Sequence, residues 1–143
     1  MQAEKGLPRA SGWRMLLVKT KLDRSTLHGI GLFAAELIRE GKMVWRYSPE
    51  VDIKLPGELI AGLLQPCREQ IRRYTYREKF TGLYVLCSDD ARFFNHSTDP
   101  NCVAVDDGAD GVTVARREIS HGEELTCDYA LFDLDLVEGK YQI

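Results

Sequence analysis

Two short segments of this 143-residue chain carry most of the side chains that could do chemistry. Residues 92–97 read Arg-Phe-Phe-Asn-His-Ser, and residues 122–129 read Gly-Glu-Glu-Leu-Thr-Cys-Asp-Tyr. Ser97, His96 and an Asp could form a hydrolase triad. However, adjacent Ser and His in one turn rarely face each other, and the chain has no Gly-x-Ser-x-Gly elbow. A hydrolase is therefore the weakest of the interpretations.

The four cysteines favour a structural role. Cys67, Cys87, Cys102 and Cys127 stand singly, without a Cys-x-x-Cys pair. Three of them lie in apolar or strand-like surroundings, where a free thiol usually serves as a small core residue. We expect reduced core cysteines and no metal site.

The elements that must position these residues are mostly short β-like pieces separated by glycines. Residues 57–76 alone show apolar residues at helical spacing, and Pro66 is expected to divide them into two short helices. Residues 103–105 and 112–115 are expected to form a β-hairpin around a glycine-containing loop. We predict a mainly β fold of the α+β class with a small helical insert at about 57–76. The other predicted strands are residues 16–18, 29–34, 43–47, 83–87 and 124–127.

Length and composition fit one globular domain. With 44% hydrophobic and 29% charged residues, the chain is too apolar for disorder. Residues 1–14 show no recognisable chemistry and are expected to be a flexible leader, so that residues 15–143 form the single domain. No apolar run reaches the roughly 18 residues of a membrane helix, and the first residues do not look like a secretion signal. We predict an intracellular protein, cytoplasmic or nuclear, without membrane attachment.

Charge is unevenly distributed along the chain. Residues 1–88 carry a net charge of +6 and residues 89–143 a net charge of −9, which together give −3. An acidic region attracts cationic partners and repels nucleic-acid phosphates. A basic protein segment is therefore an expected partner, and direct contact with nucleic acid is not. A merely solubilising acidic face explains the same composition equally well.

Three segments together resemble the pattern of the SET-domain protein lysine methyltransferases. The first is His-Gly-Ile-Gly-Leu-Phe-Ala at residues 28–34. The second is the segment at 92–97 with Pro-Asn-Cys at 100–102, and the third is the segment at 122–129. A lone Gly-x-Gly is more typical of an ordinary turn, so the resemblance depends on all three segments occurring in order.

The resemblance implies a SET-type fold of several small β-sheets with a C-terminal pseudoknot that brings residues 95 and 129 together. It implies methyl transfer from S-adenosylmethionine to a lysine of a protein substrate, in a basic histone-like segment, with Tyr129 as the catalytic residue. We assign substrate contact to Cys127, Tyr84 and Phe94. The predicted cofactor-binding residues are Ile30, Gly31, Leu32, Arg92, Asn95, His96, Tyr129 and Phe132.

The chain departs from the family at two positions. Thr98 stands where many relatives have a Cys, and no Cys follows Tyr129, so the zinc-binding lid of those relatives is expected to be absent. Phe132 and Tyr141 are aromatic candidates to cover the cofactor, although ordinary core or tail positions explain both rings more simply. Cys127 is small where relatives often carry Phe or Tyr, and the number of methyl groups added stays open.

Two further questions stay open at this stage. One is whether the chain forms a homodimer. The other is whether it is instead a catalytically weak module that binds lysine peptides and uses S-adenosylmethionine as a structural ligand.

Overall fold

The largest sheet of the protein has four antiparallel strands. The computed structural model describes residues 15–105, 111–131 and 133. Within them, β1 spans Met15–Leu16, β4 Met43–Arg46, β9 Cys102–Val105 and β10 Val112–Ala115. Their order is β1-β4-β10-β9, and all neighbours run antiparallel. The predicted hairpin is β9 with β10.

Three smaller sheets complete the β-structure of the described residues. The strands β2 (Thr20–Arg24) and β3 (Ile30–Ala34) form a hairpin. A three-stranded antiparallel sheet holds β5 (Ile53–Leu55), β7 (Tyr84–Leu86) and β6 (Thr75–Arg77), with β7 in the middle. The last pair, β8 (Asn95–His96) and β11 (Thr126–Cys127), is parallel. This set of small sheets confirms the mainly β prediction.

The helical insert consists of two short helices, as predicted. The first, α1, spans Gly57–Ala61, and the second, α2, spans Gln65–Tyr74. Pro66 lies in the first turn of α2, where a missing N–H removes no hydrogen bond, so it begins the second helix. The predicted insert was two residues too long, because the β-branched Thr75 begins β6. Among the described residues, no helix is long and apolar enough to cross a membrane.

The hydrophobic core lies between the four-stranded sheet and the segments that carry the motifs. Leu32 on β3 and Leu125 just before β11 are fully buried, together with Val44 on β4 and Val85 on β7. Burial of such a side chain contributes about 1.5–3 kcal/mol to folding. Since Leu32 and Leu125 belong to motif segments, the packing that stabilises the fold also fixes those segments in place.

Candidate active site

The two polar segments lie side by side because β8 and β11 form a parallel pair. Asn95 is the register partner of Thr126, and His96 is the partner of Cys127. The N–H of Ser97 extends the pairing by donating to the carbonyl of Cys127 at 3.0 Å. The predicted proximity of residues 95 and 129 therefore agrees with the structure.

Tyr129 follows β11 and contacts the first segment at two points. Its hydroxyl donates to the carbonyl oxygen of Phe94. Its N–H donates to Nδ1 of His96 at 3.0 Å, and the two rings meet edge to face at 5.5 Å. Because Nδ1 accepts this hydrogen bond, His96 holds the backbone of Tyr129. This contact gives the His96 ring a structural role in the fold.

Burial raises the pKa of Tyr129 well above its ordinary value, and the neighbouring Cys127 and Asp133 raise it further. A phenol with a raised pKa keeps its proton throughout the neutral range. Tyr129 can therefore donate a hydrogen bond at this position, but it is not a base near neutral pH.

The Gly-x-Gly loop is tied to both polar segments by a network that we call the Ser25–Glu124–Asn95 node. Ser25 Oγ donates to the carboxylate of Glu124 at 2.8 and 2.9 Å, and Asn95 Nδ2 donates to the same carboxylate at 2.8 Å. Asn95 Nδ2 also contacts the carbonyls of His28 and Ile30, at 2.9 and 3.3 Å. The node therefore joins all three motif segments at one point.

Gly31 is required because the side chains of Glu124 and Ser25 come very close to its backbone. A Cβ at position 31 would lie 2.8 Å from Cδ of Glu124 and 3.1 Å from Cβ of Ser25, both inside van der Waals contact. Gly29 differs, since its φ of +48° places it in the left-handed region with open space around it. One glycine of the loop is thus needed for packing and the other for the turn.

Asn101 holds the chain segment that leads into β11. Its Nδ2 donates to the carbonyl of Glu124 at 2.7 Å and to the carboxylate of Glu123 at 3.0 Å. Its Oδ1 accepts from the N–H of Thr126 at 2.9 Å, and the residue is only 2% exposed. The buried amide therefore satisfies backbone groups of a segment more than 20 residues away.

A cavity of about 390 Å³ opens next to Tyr129. Its floor comes from the four-stranded sheet, where Trp45, Thr113 and Ala104 are register partners on β4, β10 and β9. The cavity lining also includes Tyr129 itself and three other residues predicted from the sequence, Phe94, Cys127 and Arg92.

Other predicted site residues lie elsewhere. Tyr84 lines a separate surface pocket with Pro56 and Arg77, so the cavity does not support its predicted contact with substrate. Ile30 and Gly31 lie in the glycine loop outside the cavity lining, and the side chain of Leu32 is fully buried in the core. Phe132 and Tyr141 fall outside the described residues.

Sequence reasoning missed two groups of residues around this site. Ser25 stands before the glycine motif, and nothing in its local sequence marks it as a partner of Glu124. Arg73 and Lys79 line the cavity from the insert and the segment after it, although neither belongs to a recognised motif. Helix amphipathicity alone could not have shown that the insert borders the site.

The comparison with known proteins gives the class of the chain. Residues 29–130 match the family model of the SET domain, which covers more than half of the chain. The chain therefore belongs to the SET domain family.

Curated relatives include human histone-lysine N-methyltransferase 2B, 36% identical over 86% of this chain, and histone-lysine N-methyltransferase set1 of Dictyostelium discoideum, 32% identical over 78%. The chain spans only 5% and 8% of the length of these two relatives. The similarity thus concerns one part of much longer proteins.

Solved structures give the same fold. One is ctPRC2 in an autoinhibited conformation bound to S-adenosylmethionine, with a TM-score of 0.60 and 26% identity over 86% of this chain and 16% of that chain. Another is the Neurospora SET domain protein DIM-5, a histone lysine methyltransferase, with a TM-score of 0.58 and 21% identity over 85% of this chain and 56% of the other. The predicted SET-type fold is confirmed.

Proposed function

We propose that this protein transfers a methyl group from S-adenosylmethionine to a lysine side chain of a protein substrate. The observation that carries the proposal is the parallel pairing of β8 with β11, which sets Tyr129 against Phe94 and His96 and lets Tyr129 and Phe94 line the cavity. Membership of the SET family and the names of the methyltransferase relatives support the same activity.

The donor chemistry around Asn95 fits the amino-acid part of S-adenosylmethionine. Asn95 uses its Nδ2 to hold the glycine loop, and no described residue donates to its Oδ1. This oxygen is thus an acceptor suited to an ammonium group. Ile30 and Gly31 would add main-chain contacts, with the backbone of His96 on the other side. When bound, the cofactor supplies a sulfonium whose methyl group is already electrophilic.

The residues around the cavity would prepare the lysine amine. An amine attacks only when neutral, and the free pKa of lysine is about 10.4, so an apolar wall that disfavours the ammonium form promotes the reaction. Phe94 and Cys127 provide such a wall. The Phe94 carbonyl and the Tyr129 hydroxyl would orient the amine in line with the methyl group. The proton leaves to water through the cavity opening.

For the substrate we propose a basic, histone-like segment inside the cell. The support is the net charge of −9 over residues 89–143, which favours a basic partner at long range, together with the histone-lysine methyltransferase names of the relatives. Lysine-rich segments of nucleic-acid-bound proteins fit this charge, whereas nucleic acid itself does not.

The decisive experiment incubates the chain with labelled S-adenosylmethionine and a panel of basic proteins, and it compares Tyr129→Phe with the wild type. Loss of the hydroxyl should lower methyl transfer about 100-fold, since misplaced reacting groups typically cost this much. Binding of the cofactor, measured as thermal stabilisation of the protein, should persist. Tyr47→Phe removes a hydroxyl from the core outside the cavity and serves as the control.

Two outcomes would contradict the proposal. Full transfer by Tyr129→Phe with an intact fold would exclude the role of the hydroxyl. Stabilisation of the wild type by cofactor without any mass gain on the substrates would instead favour a lysine-peptide binding module.

A further inference from the structure

The cavity beside Tyr129 has a cationic rim. Arg73 on α2, Lys79 just after β6 and Arg92 ahead of β8 all line it. None of the three forms an ion pair with a carboxylate of the described residues, and all three are exposed. Three exposed cations without an ion-pair partner among the described residues therefore line the cavity that a substrate lysine would have to enter.

The single carboxylate among the described lining residues does not balance this charge. Glu78 is only 9% exposed and lies 3.2 Å from Nζ of Lys54, and it also accepts a hydrogen bond from the hydroxyl of Thr81. Its charge is therefore compensated within the protein. Among the described lining residues, the charge that is left uncompensated at the rim is therefore positive.

Aromatic rings hold one of these cations in place. The guanidinium of Arg92 lies 5.4 Å from the ring centre of Tyr74 and 5.3 Å from that of Phe93. The rings of Tyr74 and Phe93 also meet edge to face at 5.5 Å. A cation held over aromatic faces loses little freedom when it binds an anion, which makes it an effective partner for a carboxylate.

We propose that this rim selects lysines flanked by Asp or Glu within about two residues. The inference rests on the proposed methyl transfer and refines its substrate. A peptide residue advances the chain by roughly 3.3 Å, so neighbours of a lysine inserted toward Tyr129 stay at the level of the cavity opening. A carboxylate there meets Arg73, Lys79 and Arg92, whereas a basic neighbour is repelled.

This selection and the attraction by the acidic C-terminal region act over different distances. The charge of residues 89–143 attracts a basic segment before contact, over about a Debye length. The rim acts only on the residues next to the inserted lysine. The preferred substrate is thus a lysine with acidic immediate neighbours inside a segment that is basic overall.

The test compares three synthetic peptides of identical length and basic ends. Each has one central lysine acceptor with two flanking Glu, Gln or Arg residues, and the basic ends carry only Arg, so that no second acceptor competes. Methyl transfer from labelled S-adenosylmethionine is measured as kcat/KM at low and high salt. We expect the Glu peptide to exceed the Arg peptide about tenfold at low salt, and the ratio to shrink as salt rises.

The variants Arg73→Glu and Lys79→Glu should each reduce this ratio about threefold, and together they should remove the preference. Arg72→Glu is the matched control. Arg72 lies in the same last turn of α2 as Arg73 but does not line the cavity. Reversing the charge at either position therefore has the same effect on the helix dipole. Arg72→Glu should leave the peptide ratio unchanged.

A wild-type preference for the Arg peptide, or an unchanged ratio in both rim variants, would overturn the inference while leaving methyl transfer intact. Absence of transfer to every peptide and to the basic protein panel would instead contradict the proposed function. The two failures are therefore distinguishable in one experiment.

Discussion

At the scale of single residues, Tyr129 and Cys127 give the cavity two neighbouring groups that do not ionise near neutral pH. Tyr129 keeps its proton because burial raises its pKa, and Cys127 next to it is a buried thiol whose pKa is raised by burial and by neighbouring Cys102 and Asp128. Neither residue is suited to act as a base. In the proposed reaction, removal of the lysine proton would therefore rely on water and on the apolar surroundings of the amine.

The buried thiols allow a direct check of this environment. Burial raises the pKa of Cys87 well above its ordinary value and that of Cys102 to about 12, while Cys67 on α2 is exposed. Only a thiolate reacts with an alkylating reagent, and a raised pKa keeps a thiol protonated at pH 8. We expect iodoacetamide at pH 8 to add one group to the folded chain, detected by mass spectrometry, without loss of methyl transfer.

Two controls define the alkylation experiment. Cys67→Ser should give no adduct in the folded state, and the wild type should give four adducts in denaturant. A second rapid adduct on the folded wild type would show that at least one predicted core cysteine is accessible.

The sequence predicted the residues that belong to motifs better than those that support them. Residue type and spacing singled out Tyr129, Asn95 and His96, and the structure brings the segments that carry them together. Ser25 could not be found, since its role depends on a carboxylate 99 residues away. For Tyr84, the residue type and its place in a predicted strand do not determine which pocket the ring lines, and the ring lines the separate pocket.

At the scale of elements, apolar runs and turns predicted the strands that supply the core but not the polar ones. The strands β3, β4 and β7 were expected within one or two residues, whereas β2, with the sequence Thr-Lys-Leu-Asp-Arg, and β5 were not. Polar strands such as β2 form because a neighbour supplies hydrogen bonds. The short strand β6 was hidden because Tyr74 and the residues after it continue a helical spacing.

The Ser25–Glu124–Asn95 node should hold the hairpin of β2 and β3 in the shape that we propose binds the cofactor. We expect Ser25→Ala to weaken S-adenosylmethionine binding about fivefold and to lower the free energy of unfolding by about 1–2 kcal/mol, because a hydrogen bond to a charged group is lost. Isothermal titration and urea unfolding measure the two effects. Ser25→Thr keeps the hydroxyl and should retain most of the affinity.

Thr26→Ala is the matched control for this prediction. Thr26 is exposed and adjacent to Ser25 but outside the node, so its truncation should change neither cofactor affinity nor stability. Equal effects of Ser25→Ala and Thr26→Ala would show that the node does not position the loop.

At the scale of the whole molecule, the fold is closed by a contact between distant parts of the chain. The parallel pair β8 and β11 joins residues 31 positions apart in a single short register, and neither two-residue strand would be stable alone. Such non-local pairing requires loop closure before any contact forms, which local sequence patterns cannot reveal. The resemblance to a family was therefore needed to predict this closure.

Asn101 supports this closure through its buried side-chain amide. Asn101→Ala would leave the Thr126 N–H and the Glu124 carbonyl without their partner, and each unsatisfied buried group costs about 1–3 kcal/mol. We expect the free energy of unfolding in urea to fall by about 3 kcal/mol, a large part of the 5–15 kcal/mol typical of a domain. Thr98→Ala, an exposed position in the same loop, should change it by less than about 0.5 kcal/mol. A loss below about 1 kcal/mol in Asn101→Ala would mean that other contacts hold β11 against β8. In that case Tyr129 would owe its position to its own hydrogen bonds with Phe94 and His96 and to the packing of Leu125 and Cys127.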